Sequence, residues 1–281
     1  MAQKPAPSKP TVVPFSFGAK HAASPVALSL PEGAAASTLI DQPQAIDLAG
    51  RRTAWFLNGR GRIGKTTFAR WLHGVVDNQG GSAIVAACDP GNRTLRRFLD
   101  GVAEPPTTNP VETRDWLWSL LHAAMTGGHN AIIDLGGGNS SLTLLLEETP
   151  SLGDVLSEAG LEPVAIYLLG TDPDDLTVLA MNERLGFRPR ATAIILNEID
   201  GRRYKFNEVL EHPTTRKALD NGAVQLWMPA LWKEAAETLR RNAWPFKDVA
   251  QYADVLTTSA VQTWLRRMDE EFAPIRSWFP A

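Results

Sequence analysis

Residues 59–67 read Gly-Arg-Gly-Arg-Ile-Gly-Lys-Thr-Thr and fit the pattern G-x-x-x-x-G-K-[ST]. An apolar, β-prone run, residues 52–57, comes directly before them, and a segment with helical spacing of Phe68, Trp71 and Leu72 follows. The pattern binds polyphosphate when it lies between a strand and a helix in this order. The stretch therefore predicts a phosphate-binding loop rather than a glycine turn with a solvated lysine.

The residue types in this loop suit phosphate chemistry. Glycines allow backbone N–H groups to approach a polyphosphate without Cβ clashes. Lys65 places a charge between the β- and γ-phosphates, Thr66 offers a hydroxyl to Mg²⁺, and the helix beginning at Lys65 directs its positive end at the anion. The predicted nucleotide contacts are Gly59, Gly61, Arg62, Ile63, Gly64, Lys65, Thr66 and Thr67.

Composition limits the classes of protein that fit the chain. Its 281 residues are 44% hydrophobic, enough for a buried core, and the net charge of −3 excludes a general polyanion binder. The only cysteine, Cys88, excludes an intrachain disulfide and suits a reducing compartment. No apolar run approaches the ~18 residues of a membrane span, and no secretory signal is evident. We expect a cytoplasmic protein.

The first 50 residues differ in composition from the rest. They carry seven prolines among Ala, Ser, Lys and Gln and show no sustained periodicity, so we predict a disordered extension over residues 1–50 and a folded domain with the phosphate-binding loop over residues 51–281. Two interpretations of the extension stay open. It is either a docking arm for a cargo or adaptor protein, through the apolar residues 12–17, or a tail without a partner.

Beyond the extension, short apolar runs alternate with longer periodic segments, which is typical of β-α-β units in a parallel sheet. Six strands are predicted, at residues 53–57, 82–87, 130–134, 163–169, 191–196 and 223–227. Helices are predicted at residues 65–78, 92–100, 112–126, 141–147, 151–160, 173–186, 205–220 and 231–241. Because several strands are apolar on both faces, we expect an α/β fold, a doubly wound and mostly parallel sheet with helices on both faces.

Three polar residues stand where predicted strands end, at the edge where such sheets bind ligands. Asp134 ends the third strand and is predicted to bind Mg²⁺, the alternative being a helix cap or turn residue. Asp89 follows the second strand and either orients an attacking water or belongs to an ordinary Asp-Pro-Gly turn. Asn197 ends the fifth strand and either bonds a base edge or enters a turn.

Taken in order, Gly59 to Thr67, Asp89-Pro90, Asp134, Asn197 and Pro229 resemble the motifs of the ParA/MinD-like P-loop ATPases, which carry a deviant Walker A motif. The resemblance covers residues 52 to about 241. It implies an Mg-ATP-dependent switch that positions or segregates cargo through an ATP-dependent homodimer. Plasmid partition, conjugation and protein-complex positioning are the roles implied.

The same resemblance assigns roles to single residues. Lys65, Thr66 and Thr67 would bind phosphates and Mg²⁺, Asp89 would align the hydrolytic water and Asp134 would support Mg²⁺. Asn197 would contact adenine, and Pro229 would lie near the base. Arg60 falls on the family's signature lysine, which reaches the phosphates of the partner subunit. The implied catalytic set is Lys65, Asp89 and Arg60.

Three residues depart from that family pattern. Arg60 replaces the signature lysine, Arg62 replaces a glycine where two subunits pack closely, and Ala87 replaces the first aspartate of the motif after the second strand. A guanidinium keeps the charge of a lysine but has a longer, planar shape. These departures motivate a second hypothesis, a nucleotide-binding scaffold that hydrolyses little and docks a partner protein through its N-terminal arm.

The distribution of charge and the spacing of apolar residues indicate which surfaces could bind DNA or membrane. Non-specific DNA binding is possible and would need several cations on one face. The candidates are Arg188 and Arg190, Arg202, Arg203 and Lys205, Arg240, Arg241 and Lys247, and Arg266 and Arg267.

Residues 259–279 carry an apolar stripe, Val261, Trp264, Leu265, Met268 and Phe272, which we expect to pack on the sheet. Membrane binding is therefore not expected.

Overall fold

A single six-stranded sheet forms the centre of the structure, a computed structural model that describes residues 45–89, 94–137, 140–200 and 202–280. The strands are β1 (Arg52–Asn58), β2 (Ala83–Ala87), β3 (Asn130–Asp134), β4 (Leu161–Leu169), β5 (Ala191–Asn197) and β6 (Val224–Met228). Each begins and ends within two residues of its predicted position. The apolar runs identified these strands because their residues are buried on both faces.

All strand pairs in the sheet are parallel, in the order β2-β3-β1-β4-β5-β6. β1 lies between β3 and β4, with Leu57 opposite Asp134 and Asn58 opposite Tyr167. From β1 the chain passes to the edge strand β2 and returns to β3 beside β1, and it then continues on the other side of β1 through β4, β5 and β6. Ligands bind beyond the carboxyl ends of the strands at such a change of direction, so the fold directs attention to the end of β1.

Helices cover both faces of the sheet and complete the doubly wound α/β fold. They are α1 (Lys65–Asn78), α2 (Pro110–Gly127), α3 (Ser140–Glu148), α4 (Leu152–Glu158), α5 (Thr177–Arg184), α6 (Asn207–Glu211), α7 (Pro213–Asp220), α8 (Lys233–Asn242), α9 (Val249–Tyr252) and α10 (Val255–Glu271). One hydrophobic core packs β1 to β6 against α1 and α8–α10, and the other packs the opposite face against α2–α7. The predicted fold class is confirmed.

Three predicted helices differ from the structure. The one predicted at 173–186 begins with a 3₁₀ turn, Pro173–Leu176, before α5. Of the helix predicted at 92–100, the described residues form only a 3₁₀ turn, Leu95–Arg97. The helix predicted at 205–220 is interrupted at His212, because the following Pro213 favours extended backbone in the residue before it. His212 then caps α7 by accepting a hydrogen bond from the Thr214 N–H at 3.2 Å.

The apolar stripe near the C-terminus packs inside the fold, as predicted. Val261, Trp264 and Met268 of α10 are all at most 2% exposed. The Trp264 indole N–H donates to the Pro229 carbonyl at 2.7 Å, which ties α10 to the segment after β6. Within the described residues, no helix has the length and apolar character needed to cross a bilayer.

The residues just before β1 pack with the end of the chain. Leu48 is 1% exposed, and the Trp278 indole N–H donates to the Ile46 carbonyl at 2.6 Å. Both positions belong to the last part of the stretch that composition predicts to be an extension. Its remainder, residues 1–44, lies outside the described residues.

Candidate functional site

The glycine-rich stretch forms the connection between β1 and α1, at the carboxyl edge of the sheet. Gly59 and Gly64 have φ angles of 142° and 99°, which L side chains rarely adopt. A Cβ at Gly59 would lie 2.6 Å from the Leu168 carbonyl oxygen, and one at Gly64 would lie 2.6 Å from Asn197 Nδ2. Both positions therefore require glycine for conformation and for space.

Lys65 is held inside this loop. Its side chain is buried, and Nζ donates to the carbonyl oxygens of Gly59 at 2.8 Å and Arg60 at 3.0 Å. Burial lowers the pKa of Lys65, while the charges of Asp134 and Asp89 oppose that shift. The ammonium group thus lies across the loop and faces two carboxylates from neighbouring strands.

Thr66 and Asp134 form a pair of oxygen ligands beside Lys65. The Thr66 hydroxyl donates to Asp134 Oδ2 at 3.2 Å, and the Gly136 N–H donates to Asp134 Oδ1 at 3.3 Å. Burial raises the pKa of Asp134, and the Lys65 charge is the main opposing influence. A hydroxyl and a carboxylate fit Mg²⁺, which one or two carboxylates hold together with ligand phosphates and water.

The described ranges contain no group of three or more His, Cys, Asp and Glu residues that could hold a metal ion. Mg²⁺ usually takes part of its ligand set from phosphate and water, as it would at Thr66 and Asp134.

Asp89 lies where the loops after β2 and β3 meet the phosphate-binding loop. A Cβ at Gly136 would lie 2.8 Å from the Asp89 Cβ, and one at Gly137 would lie 3.0 Å from the Gly61 backbone nitrogen. Three loops are in contact here, and they bring Asp89 and Asp134 to the same side of the phosphate-binding loop. The predicted turn continues into residues 90–91, which lie outside the described residues.

A cavity of about 510 Å³ adjoins the loop and contains both residues predicted to lie near a base. Asn197 and Pro229 line it together with Gly64, Thr66 and Thr67. Asn197 Nδ2 donates to the Ile63 carbonyl at 2.8 Å, so this side chain also holds the loop in place. The position of Asn197 at a strand end indicated the site, but its bond to the loop required the fold.

Arg70 is a residue of this cavity that the sequence analysis missed. Its side chain is buried, its guanidinium lies 3.6 Å from the ring centroid of Phe98 and 4.4 Å from that of Phe246, and it donates to the Trp244 carbonyl. Burial lowers the pKa of Arg70 to about 10. Its spacing from Thr66 and Thr67 on α1 was the one available signal, since residues three and four apart share a helix face.

The two arginines inside the loop have different environments. Arg60 Nη1 lies 2.9 Å from Asp172 Oδ2 and 3.3 Å from Asp175 Oδ1, in the segment that follows β4. Arg62 has a φ of 67°, in the left-handed region that disfavours residues with a Cβ. Arg60 is thus paired within its own chain, and Arg62 adopts backbone geometry that suits glycine.

Several cations proposed for DNA contact form ion pairs. Arg203 pairs with Glu198 at 2.6 Å and also with Glu271, and Arg267 pairs with Glu198 at 3.4 Å. Lys247 and Asp77 lie 2.9 Å apart. These carboxylates reduce the positive potential that the three cations offer to a phosphate backbone.

The sheet order, the loop between β1 and α1 and Asp134 at the end of the adjacent strand together define a P-loop α/β fold. Similar solved structures are the cell division protein FtsY from Thermotoga maritima and FtsY from Mycoplasma mycoides, each at 16% sequence identity. The first has a TM-score of 0.44 over 65% of this chain and 63% of that chain. The second has a TM-score of 0.43 over 64% and 60%. The chain thus covers less than two thirds of either FtsY chain.

No protein-family model matches the chain, and a search of curated proteins finds no match.

Proposed function

We propose that this protein is an Mg-ATP-dependent switch of the ParA/MinD-like kind, which positions or segregates cargo in the cytoplasm. One observation carries the nucleotide-binding part of the proposal: Lys65, Thr66, Asp134 and Asp89 converge on a glycine-rich loop in which Gly59 and Gly64 have no room for a side chain. Such a loop is an anion site at a helix N-terminus, and the aspartates suit a metal and a nucleophilic water.

Each residue has one task in this account. The backbone N–H groups of the loop and the Lys65 ammonium bind the phosphates. To do so, Lys65 replaces its hydrogen bonds to the Gly59 and Arg60 carbonyls with bonds to phosphate oxygens. Thr66 and Asp134 would hold Mg²⁺, which would supply positive charge against the phosphate oxygens. Asp89 accepts a hydrogen bond from the attacking water and aligns it. Catalysis is then mainly positioning and charge stabilisation.

Adenine is the base that the resemblance to the ParA/MinD-like ATPases implies. Asn197 Nδ2 donates one N–H to the Ile63 carbonyl, which leaves the amide oxygen and the second N–H for a ligand. Such a paired donor and acceptor can bond the amino group and a ring nitrogen of adenine. Met228 and Pro229 offer apolar contact to the base.

The cargo-positioning part of the proposal rests on the resemblance of the loop and strand-end motifs to that ATPase branch. Two subunits would join through their loops when ATP is bound, and hydrolysis would release them. Non-specific DNA and a cargo or adaptor protein held by residues 1–50 are the partners we propose.

A second candidate function is a nucleotide-binding scaffold with little turnover. It is favoured by Arg60, whose guanidinium is paired with Asp172 and Asp175 of its own chain. It is also favoured by Arg62, a bulky residue at the position where two subunits of the family pack closely.

Mass measurement by size-exclusion chromatography with light scattering tests the switch. The full chain is compared with ATP, with ADP and without nucleotide, using Arg60→Ala as the control variant. The switch predicts a doubled mass with ATP alone and a weaker dimer in Arg60→Ala. An unchanged mass with ATP, at a concentration that saturates binding, contradicts the ATP-dependent dimer and favours the scaffold. Turnover stimulated by DNA would exclude the scaffold.

A further inference from the structure

A second cavity lies at the sheet edge opposite the phosphate-binding loop, where β5 and β6 begin. Its volume is about 690 Å³, and we call it the basal groove. Glu183 of α5, Lys217 of α7 and the segment 188–192 form its rim, and Tyr167, Phe187 and Ala218 contribute to its floor. The volume falls within the roughly 300–1,000 Å³ typical of small-molecule sites.

The rim of the basal groove carries an excess of positive charge. Lys217 lies 2.8 Å from Glu183, and this pair is neutral overall. Arg188 and Arg190 are exposed, and neither pairs with a carboxylate within the described parts of the chain. The groove thus presents two cations that its own carboxylate does not neutralise, and an anion would find complementary charge there.

The two arginines extend from a fixed backbone. A Cβ at Gly153 would lie 2.1 Å from the Arg188 carbonyl oxygen, so the segment packs against α4 as closely as glycine permits. The Arg190 N–H donates to the Pro163 carbonyl of β4 at 2.8 Å. Because the backbone is already ordered, less conformational entropy is lost when a ligand binds.

The floor combines apolar surface with one buried hydroxyl. Phe187 and Ala218 are at most 5% exposed and supply apolar contact. The Tyr167 hydroxyl accepts a hydrogen bond from Asn182 Nδ2 at 3.1 Å, and burial raises its pKa, so it stays protonated and keeps an O–H to donate. Cations on the rim, apolar walls and a donor below suit a molecule with an anionic group and an apolar body.

We propose that the basal groove binds a small organic anion, with a carboxylate or phosphate group bound by Arg188 and Arg190 and an apolar or aromatic body over Phe187 and Ala218. None of the residues that line the groove belongs to the phosphate-binding loop. It is a ligand site separate from the nucleotide site.

Equilibrium titration with phenyl phosphate and with phenylacetate tests the site and distinguishes the two anion types. Saturable binding of at least one probe is expected, about tenfold weaker in the double variant Arg188→Gln/Arg190→Gln, since each hydrogen bond to a charged group contributes appreciably. Arg216→Gln, an exposed cation of α7 that does not line the groove, should bind like the wild type. Lys65→Ala should also bind like the wild type.

Three results would overturn the site: no saturable binding of either probe, equal affinity in the double variant, or loss of binding in Lys65→Ala. The last result would mean that the probe occupies the phosphate-binding loop. Both arginines are exposed, so the double variant should fold, and a circular dichroism melt verifies this.

A buried hydrogen-bond network connects the basal groove to the phosphate-binding loop. Asn182 Nδ2 donates to the Tyr167 hydroxyl and, at 3.2 Å, to Asn58 Oδ1. Asn58 immediately precedes Gly59 and bonds the carbonyls of Phe56 and Ile166. A ligand that bonds Tyr167 therefore acts on the residue at which the loop begins.

The effect on the loop rests on the proposed nucleotide binding and has its own test. With the better probe saturating, the dissociation constant for ATP should change by at least about threefold, and Tyr167→Phe should abolish the change while leaving the arginines in place. By linkage, ATP should change the affinity for the probe by the same factor. Probe binding without any change in ATP affinity would contradict the connection but not the site. Failure to bind ATP at all would contradict the proposed function instead.

Discussion

The Arg60 guanidinium lies 2.9 Å from the Asp172 carboxylate of its own chain. The hydrogen bond from the Asp174 backbone N–H lowers the pKa of Asp172 most, and the hydrogen bond from Arg60 lowers it further. The bond between Arg60 and Asp172 also raises the pKa of Arg60. In the proposed dimer, Arg60 would have to leave this pair to contact the phosphates of a second subunit. The pair would then favour the single subunit over the dimer.

Replacing Asp172 should therefore promote the ATP-dependent dimer. In Asp172→Asn, the side-chain oxygen still accepts from the Asp174 N–H, but the ion pair with Arg60 is lost. Exposed ion pairs contribute little, so we expect the dimer dissociation constant to fall only about two- to fivefold. Sedimentation equilibrium with ATP measures this. Asp174→Asn is the matched control, and an equal effect in both variants would contradict the prediction.

Relieving the backbone strain at Arg62 should stabilise the protein. A residue with a Cβ pays a steric cost in the left-handed region that glycine does not pay, whereas glycine loses more conformational entropy on folding. Because the first effect is larger, the free energy of unfolding of Arg62→Gly should be about 0.5–1 kcal/mol above that of the wild type. Urea unfolding without nucleotide measures the difference. Arg62→Ala removes the same charge but keeps the Cβ, and the prediction is wrong if it matches Arg62→Gly.

Gly64 and Gly61 should respond differently to the same substitution. A Cβ at Gly64 meets Asn197 Nδ2 and would displace the hydrogen bond to the Ile63 carbonyl, so Gly64→Ala should lose about 1–3 kcal/mol of stability. A Cβ at Gly61 would have no neighbouring atom within 4 Å, so the free energy of unfolding of Gly61→Ala should differ from that of the wild type by less than about 0.5 kcal/mol. Equal unfolding midpoints for the two variants would contradict the described loop.

Cys88 should be unreactive in the folded protein. The thiol lies buried just after β2. Burial is the main cause that raises its pKa to about 12, and the charge of Asp134 is the second. Thiolate is the reactive form, so alkylation at about pH 8 should be slowed about a thousandfold relative to the urea-unfolded chain. Mass spectrometry of iodoacetamide adducts over time measures both rates. Comparable rates would mean that the end of β2 opens readily.

Features encoded by local pattern were predictable from the sequence. The six strands follow from runs of buried residues, and Asp134 and Asn197 were found because polar residues stand where apolar runs end. The break at His212 was also predictable, since Pro213 disfavours helix in the preceding residue. It was missed because the apolar spacing continues across the proline.

Features that depend on tertiary packing were not predictable from pattern. Arg60 and Asp172 are 112 residues apart in the chain, and nothing in either segment indicates the pair. The aromatic rings around Arg70 come from Phe98 and Phe246, which lie in separate segments and meet only when α1 is packed. The double role of Asn197 likewise depends on how the loop lies against β5.

Equilibrium binding of Mg-ATP to the wild type and to Lys65→Ala tests the central claim most directly. If Lys65 and the loop bind the phosphates, the wild type should bind Mg-ATP more tightly than Mg-GTP, and Lys65→Ala should weaken ATP binding by at least about tenfold, because a charge-assisted bond to phosphate is lost. A melting curve verifies that the variant is folded. Equal ATP affinity in a folded Lys65→Ala, or no ATP binding by the wild type, would contradict the account.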